Sequence, residues 1–280
     1  MDNSWILITG ATGGLGRAFA VECASRGWRL FLTDLHEEAL ETLVKGLQDT
    51  YRVPVKHQPS DLTDPSSRAS LFETIDRDRL RFWGVINVAG TDYEGSFFER
   101  SCDQIRTIIR LNIEGTLEVT HGLLEYRDPY HPFRIINVAS LAAFYPMPIK
   151  ATYAASKRFL LDFSLALREE VRGLGATVTV LCPAGLPTTP ECIRAIEAQG
   201  LMGQLTTQNI GSVAAGTLDH ALQGHAIYIP GLLNQVLHIF GSLVPATLVA
   251  SFVGNRWQAA HQRARTRQMI LRQTVDPEEA

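Results

Sequence analysis

The chain has 280 residues, of which 45% are hydrophobic and 20% are charged, and its formal net charge is −3 at pH 7. These values are typical of a folded globular protein, and they argue against a disordered chain or a strongly basic nucleic-acid-binding protein. The four cysteines form no closely spaced pair, and the N-terminus does not resemble a secretory signal. We therefore expect a cytoplasmic protein that binds no nucleic acid.

Short apolar segments alternate with amphipathic segments along the first 230 residues. The apolar segments predict strands that are buried on both faces, as in a parallel sheet. These predicted strands cover residues 6–9, 29–33, 53–57, 85–88, 134–139, 177–182 and 226–229. The predicted helices cover residues 15–26, 36–49, 65–76, 101–126, 152–173 and 210–223. The alternation predicts an α/β fold in a single domain, a doubly wound parallel sheet of the Rossmann type.

The chain changes character after residue 230. Between His220 and Asn255 there is no Asp, Glu, Lys or Arg, and Pro245 interrupts the apolar pattern. Apolar residues at helical spacing precede this proline: Leu232, Leu233, Val236, Leu237 and Phe240. We expect residues 1–230 to form the core and residues 231–280 a helical extension. This extension is interpreted as a lid over the substrate side or a subunit interface, with peripheral membrane attachment as the alternative, because polar residues and Pro245 argue against a membrane span.

A glycine-rich turn of sequence TGATGGLG lies between the first predicted strand and the first predicted helix, at residues 9–16. Glycines allow a sharp turn and a close approach to a pyrophosphate, and the helix N-terminus offers free N–H groups. No Lys-Ser/Thr pair follows the last glycine, so the turn is not a P-loop. We expect a dinucleotide to contact Gly10, Thr12, Gly13, Gly14, Leu15 and Gly16.

Asp34 follows the second predicted strand, 18 residues after Gly16. An acidic side chain at this spacing accepts hydrogen bonds from both ribose hydroxyls and repels a 2′-phosphate. We therefore expect Asp34 and Leu35 at the adenosine end of the cofactor, with NAD preferred and NADP the weaker ligand. Asp34 also has the position and chemistry of a helix N-cap, and the two roles are compatible.

Further motifs over roughly residues 4–230 resemble those of the short-chain dehydrogenase/reductase family. Tyr153 and Lys157 match its Tyr-x-x-x-Lys signature, Ser140 lies 13 residues before the tyrosine, and Asn112 matches its helix asparagine. The resemblance implies additional cofactor contacts at Asp61, Leu62, Asn87, Ala89, Gly90, Pro183, Gly185, Leu186 and Thr188. The sequence departs from the family pattern at Val88, where a second asparagine is usual, and at Ala184, where glycine is usual.

The glycine spacing admits a second interpretation. Gly10, Gly13 and Gly16 also match the spacing in the longer sugar-nucleotide epimerase branch of the family. The short chain and the Tyr153–Lys157 segment favour the alcohol dehydrogenase branch.

Tyr153 is the predicted proton donor and acceptor. On a helix, Lys157 lies on the same face, and its positive charge is expected to lower the pKa of the phenol from about 10. Ser140 is expected to hydrogen-bond the substrate oxygen. By resemblance, Asn112 anchors a water molecule that links Lys157 to solvent.

The sequence therefore predicts an oxidoreductase that transfers a hydride between a nicotinamide cofactor and a ketone or secondary alcohol. The alternatives are a non-catalytic protein that senses the dinucleotide and a membrane-peripheral binding protein. No metal site is expected, and the resemblance implies a homodimer or homotetramer. A lipophilic steroid-, fatty- or polyketide-like substrate is favoured by apolar residues in two regions: Phe144, Tyr145 and Met147, and Leu201, Met202 and Leu205.

Overall fold

The computed structural model describes residues 4–188, 190–198, 201–242, 244–251 and 254. Seven parallel strands form one sheet in the order β3-β2-β1-β4-β5-β6-β7. The strands are β1 (Trp5–Thr9), β2 (Arg29–Thr33), β3 (Val55–His57), β4 (Phe82–Asn87), β5 (Phe133–Val138), β6 (Ala176–Leu181) and β7 (Ile227–Tyr228). This order, with helical crossovers between the strands, confirms the predicted doubly wound sheet.

Ten α-helices accompany the sheet, and the described residues 246–251 are helical as well. They are α1 (Gly14–Ser25), α2 (Glu37–Tyr51), α3 (Pro65–Arg77), α4 (Cys102–Ile109), α5 (Thr116–Glu125), α6 (Ala151–Glu170), α7 (Pro190–Ala198), α8 (Leu201–Thr206), α9 (Ile210–Leu222) and α10 (Leu232–Ser242). The predicted helix over 101–126 is divided, because a π-helical segment, Arg110–Gly115, separates α4 from α5. Apolar periodicity does not distinguish such a segment from a continuous α-helix.

The sheet is buried on both faces, as the apolar strands predict. In β1, Ile6 and Ile8 pack into one hydrophobic cluster, and Trp5 and Leu7 pack into the cluster on the opposite face. Alternate residues of a strand point to opposite faces, so a strand covered on both sides needs apolar residues at every position. This double coverage leaves the ends of the strands as the surface where a site can form.

Helix α10 ends before Pro245, as the sequence predicts. Within this helix Leu233 is 36% exposed, whereas Asn234 is fully buried. Leu237 is half-buried, and the side chain of Phe240 lies outside the described residues. Among the helices described, none combines the length and hydropathy needed to cross a bilayer.

Candidate active site

The carboxyl ends of the central strands meet at one edge of the sheet. Thr9 at the end of β1 is level with Asn87 at the end of β4, and Asn87 is level with Asn137 of β5. The Thr9 hydroxyl accepts hydrogen bonds from the backbone N–H groups of Val88 and Ala89, each at 3.1 Å. These bonds join the glycine-rich turn to the segment after β4. The predicted cofactor and catalytic motifs are thereby brought together.

Three glycines of the turn occupy positions that admit no side chain. Gly10 has φ +62°, and a Cβ there would lie 2.8 Å from the backbone of Ala89. A Cβ at Gly16 would lie 2.0 Å from the carbonyl oxygen of Gly10, and one at Gly14 would lie 2.9 Å from Cα of Thr188. The turn is therefore compressed against α1, β4 and the loop after β6, as a dinucleotide-binding turn requires.

The N-terminus of α1 is directed to the same edge. Among the described residues, no side chain caps this helix at Gly13, so the first N–H groups of the helix stay available for an anion. The Asp34 carboxylate accepts the Thr12 N–H at 2.9 Å and thus lies against the turn. An uncapped helix start beside an acidic side chain fits the pyrophosphate and ribose of a nicotinamide dinucleotide.

The capping role considered for Asp34 is wrong. Helix α2 begins at Glu37 with His36 as its N-cap residue, so Asp34 lies two residues before the cap. Its second oxygen accepts only a long contact from the His36 N–H, 3.4 Å. The carboxylate is turned to the glycine-rich turn, and the neighbouring Leu35 is 60% exposed.

Two of the predicted cofactor contacts have buried side chains. Leu62 is 6% exposed and packs in the hydrophobic cluster behind the sheet edge, so only its backbone is available. Asn87 is 3% exposed, and its amide donates to Thr120 at 2.9 Å and to Asn137 at 2.8 Å. Any contact of Leu62 or Asn87 with the cofactor would therefore be made by backbone groups, while their side chains stabilise the core.

Asp61, in contrast, stays at the surface beside them. Its Oδ1 atom accepts from the Thr63 N–H and from the Thr63 hydroxyl, at 2.8 and 2.7 Å. This turn holds the Asp61 backbone in place at the edge where an adenine is expected.

A buried polar network, which the sequence did not indicate, holds the catalytic helix against the strands. The Asn137 amide donates to Ser164 of α6 at 2.9 Å and accepts from Asn87. Each of these side chains is at most 3% exposed, and a buried hydrogen bond that loses one partner is costly. The network therefore fixes α6, and with it Tyr153 and Lys157, relative to β4 and β5.

The four predicted catalytic residues lie together at this edge. The Lys157 ammonium lies 5.7 Å from the centroid of the Tyr153 ring and donates to the Val138 carbonyl at 2.8 Å. The Ser140 hydroxyl lies close enough to the Tyr153 phenol to act as its hydrogen-bond partner, and it also caps the short turn after β5 by accepting from the Ala142 N–H at 3.1 Å. Tyr153 and Ser140 can therefore both reach one substrate oxygen.

Asn112 is fully buried within the π-helical segment. Its side chain accepts from the Thr91 N–H at 2.8 Å and donates to the Thr91 carbonyl at 3.0 Å and to Ser156 at 3.0 Å. A Cβ at Gly90 would lie 3.2 Å from Asn112 Oδ1 and 3.3 Å from Lys157 Nζ. The small residue after β4 thus lets the asparagine and the lysine approach the same strand end.

The loop after β6 borders the candidate site on the side opposite to the segment after β4. The Pro183 carbonyl accepts from the Leu141 N–H at 2.7 Å, and Thr188 packs over Gly14. Leu186 is 8% exposed in the core, and a Cβ at Gly185 would lie 3.1 Å from Ile196. Ala184 is not among the described residues with positive φ, so alanine replaces the usual glycine without backbone strain.

Burial raises the pKa of Tyr153 to about 12, and the charge of Asp92 adds to this rise. The hydrogen bond from Ser140 and the Lys150 ammonium act in the opposite direction, while Cys192 raises the pKa further. The protein's own groups therefore do not lower the phenol pKa, contrary to the expectation from the sequence. The physical reason is that a phenolate loses more solvation on burial than these partners restore.

Burial also lowers the pKa of Lys157 to about 8, although Asp92 and Cys182 oppose this change. The ammonium form is consequently favoured below about pH 8. Because the phenol and the amine lie close together, ionisation of one affects that of the other. Tyr153 and Lys157 can exchange a proton near neutral pH when a further positive charge beside them stabilises the phenolate.

Three charged residues beside Tyr153, which we call the acid–lysine cluster, were not singled out from the sequence. Lys150 Nζ lies 2.7 Å from Asp92 and 3.0 Å from Glu94, and 5.9 Å from the Tyr153 ring centroid. Burial disfavours the charged amine, but the two carboxylates raise the pKa of Lys150 and keep it protonated. Lys150 lies more than 50 positions after the two carboxylates in sequence, so no local motif reveals the cluster.

Comparison with known proteins gives one family over most of the chain. A model of the short chain dehydrogenases matches residues 4–192. Sulfoacetaldehyde reductase of Chromohalobacter salexigens is 36% identical over 193 residues, 68% of this chain and 75% of that protein. The human 17-beta-hydroxysteroid dehydrogenase type 3 is 28% identical over 250 residues, 86% of this chain and 76% of that protein. A very-long-chain 3-oxoacyl-CoA reductase of Laccaria bicolor is 31% identical over 179 residues, and the match spans 62% of this chain and 52% of that protein.

Solved structures agree on the fold. A 7beta-hydroxysteroid dehydrogenase superposes with a TM-score of 0.79 at 22% identity, covering 89% of this chain and 96% of that chain. A short-chain dehydrogenase of Sphingobium yanoikuyae in complex with NADPH gives 0.71 at 24% identity, covering 86% and 96%. One of Burkholderia phymatum in complex with NAD gives 0.73 at 21% identity, covering 85% and 92%.

Proposed function

Because this chain belongs to the short-chain dehydrogenase family and is an oxidoreductase acting on CH–OH groups, we propose that it transfers a hydride between NAD and a lipophilic ketone or secondary alcohol. The observation that carries this proposal is that the Ser140 hydroxyl and the Lys157 ammonium both lie near Tyr153. A protein that only sensed the dinucleotide would not need this arrangement.

A bound nicotinamide supplies or accepts the hydride, and its oxidised form brings a positive charge that favours phenolate. The chain's own residues handle the proton. During reduction, Ser140 and Tyr153 bind the carbonyl oxygen, and the phenol donates its proton to that oxygen as the alcohol forms. During oxidation, the phenolate accepts the proton of the alcohol. Lys157 then returns a proton to the Tyr153 phenolate. Asn112 holds the backbone of Thr91 in place through two hydrogen bonds.

The surroundings of Tyr153 support an uncharged, lipophilic substrate. A recess beside this tyrosine has several apolar lining residues, among them Phe97, Ile105, Ile108 and Ile149. Its charged lining residues are Arg100 and Lys150, and the Lys150 charge is neutralised by Asp92 and Glu94. By name, the hydroxysteroid dehydrogenase acts on an uncharged lipophilic compound, the 3-oxoacyl-CoA reductase on a very long acyl chain carried by anionic coenzyme A, and the sulfoacetaldehyde reductase on a small anion.

A substrate panel read by cofactor absorbance tests this choice. We expect kcat/KM to be higher for an uncharged keto steroid or a long-chain ketone than for sulfoacetaldehyde, by about tenfold or more, because the apolar lining stabilises a large hydrocarbon skeleton that the small sulfonate lacks. Faster turnover of sulfoacetaldehyde would overturn the lipophilic assignment and leave the enzyme class intact.

Asp34 is expected to determine the cofactor. Its carboxylate favours the free 2′-hydroxyl of NAD, whereas Arg17, whose guanidinium donates to the Thr12 carbonyl at 3.3 Å, supplies a positive charge for a 2′-phosphate. We expect the wild-type protein to bind NAD more tightly than NADP. Asp34→Ala should reduce the ratio of the two affinities by about tenfold, and Arg17→Ala should weaken the binding of NADP but not of NAD. Calorimetric titration with both cofactors measures this. Tighter binding of NADP by the wild-type protein would refute the assignment.

The acid–lysine cluster predicts opposite pH shifts in two variants. Without the Lys150 ammonium, the nearby carboxylates destabilise the phenolate, so Lys150→Met should move the rising limb of alcohol oxidation to higher pH. Without the Asp92 charge, Asp92→Asn should move it to lower pH. Each shift should be about half a unit to one unit, and profiles of kcat/KM against pH measure them. Shifts in the same direction would show that the cluster does not act through charge.

We also propose that the enzyme is a homodimer or homotetramer. Phe159 of α6 and Ile109 of α4 are each 40% exposed on helices that flank the site, and large exposed apolar side chains favour subunit contacts. Sedimentation analysis of the purified chain tests this, and a monomer at all concentrations would contradict it.

A further inference from the structure

Helix α10 has its polar side directed inward. Asn234 is fully buried, and its amide donates to the Pro230 carbonyl at 2.8 Å and to the Thr206 carbonyl at 3.1 Å. The His238 ring lies 3.9 Å from the ring of Phe144. These contacts attach the helix to the core through polar groups and one ring contact, which is the reverse of the usual arrangement for a surface helix.

The apolar side of this helix is directed outward. Leu232 is 80% exposed, Ile239 58%, Val236 45% and Leu233 36%. We call these four residues the outer face of α10. A single exposed leucine needs no explanation, but several on one helix mark a surface that binds something apolar.

The charge pattern of the sequence identifies the kind of partner. From Ala221 to Val275 there is no acidic residue, and from Ala221 to Asn255 there is no lysine or arginine either. Five arginines then follow at positions 256, 263, 265, 267 and 272. An uncharged apolar stretch followed by a purely basic one matches the layers of an anionic bilayer, where the acyl chains lie below negatively charged headgroups.

A second copy of the chain fits this pattern less well. A symmetric pair that met through this segment would bring two sets of five arginines together, and the carboxylates that follow, Asp276, Glu278 and Glu279, are too few to neutralise them. Like charges placed opposite each other oppose association. The lipid surface removes this conflict because it supplies the negative charge.

The outer face lies near the catalytic edge. The Tyr145 hydroxyl donates to the Leu237 carbonyl of α10 at 2.8 Å, and Tyr145 directly follows the short turn Leu141–Phe144 that Ser140 caps. A surface that contacts lipid here would place the site beside the bilayer. A lipophilic substrate would then reach the site without crossing water.

We propose that the outer face of α10 inserts shallowly into the surface of an anionic lipid bilayer, that the net positive charge of the C-terminal sequence adds to the attraction, and that the enzyme attaches to the membrane without spanning it. A lid or a subunit interface, as favoured by the sequence, is the alternative role of this segment. The proposal does not depend on the identity of the substrate, because lipid binding is measured without turnover.

Co-sedimentation of the full chain with vesicles tests the proposal. We expect binding to vesicles of phosphatidylcholine and phosphatidylglycerol to exceed binding to phosphatidylcholine alone by about tenfold or more at low salt, and to weaken as salt is added. The double variant Leu232→Asn, Ile239→Asn should bind the anionic vesicles about tenfold less tightly, because two side chains no longer enter the acyl region. Turnover of a soluble ketone should stay unchanged.

Leu174→Asn is the matched control. Leu174 is 50% exposed but precedes β6, at the edge of the sheet opposite to the site, so vesicle binding should match wild type. Equal binding by the double variant and wild type, or no vesicle binding at low salt, would overturn the proposal. The proposal would also be overturned if the wild-type protein did not bind vesicles and the double variant sedimented as a smaller oligomer. The outer face would then be a subunit interface.

Discussion

Tyr153→Phe is expected to lower kcat by about 10²–10⁴-fold, because the variant retains the ring and loses the group that exchanges the proton with the substrate oxygen. NAD affinity should stay within about threefold of wild type, because the glycine-rich turn, Asp34 and the start of α1 are unchanged. Steady-state kinetics and calorimetry measure the two effects separately.

Tyr126→Phe is the control for loss of a phenol. Tyr126 stacks on Phe72 near the start of β4, at the edge of the sheet opposite to the site, and its hydroxyl has no role in the chemistry. A Tyr153→Phe variant that kept more than half of the wild-type rate, under conditions where a deuterated cofactor shows hydride transfer to be rate-limiting, would mean that Tyr153 is not the proton donor.

Gly16→Ala is expected to abolish measurable NAD binding and to lower the melting temperature. The added methyl group would lie 2.0 Å from the Gly10 carbonyl oxygen, and both atoms belong to rigid backbone segments. Overpacking of this kind costs about 1–3 kcal/mol or more, and any relief must displace the turn that binds the pyrophosphate. Calorimetry and thermal unfolding report the two consequences.

Gly46→Ala provides the comparison. Gly46 is exposed within α2, and nothing lies within 4 Å of its added Cβ, so the substitution should stabilise the protein by about 1 kcal/mol and leave NAD affinity unchanged. If Gly16→Ala bound NAD as well as Gly46→Ala does, and melted at the wild-type temperature, the tight turn would not be needed for the cofactor.

The sheet and most of the catalytic arrangement could be predicted from the sequence because their signals are local. Apolar strands alternate with amphipathic helices, and Tyr153 and Lys157 lie one helical turn apart. The turn from Gly10 to Gly16 could also be predicted, because glycine is the residue type that a tight turn with no room for a Cβ requires.

The features that were missed depend on tertiary contacts. Lys150 meets Asp92 and Glu94 only after α6 packs beside the end of β4. The Tyr153 pKa was expected to fall, but the degree of burial that raises it is a property of the folded state. Sequence spacing gives the hydrophobic periodicity of α10 but not which side of that helix contacts the core.

The order of the strands has a consequence for how activity appears as the protein folds. Most neighbouring strands of the sheet are also consecutive in the chain, so each half of the sheet can form without the other half. The β1–β4 pair is different, because the segment from β2 to α3 separates these two strands in sequence. Thr9 can pair with Asn87 only when this segment leaves the edge of β1 free. Non-local pairing of this kind is slow. The cleft between the glycine-rich turn and Tyr153 exists only once this pair has closed, so NAD added during refolding should bind late and should stabilise the completed fold rather than its halves.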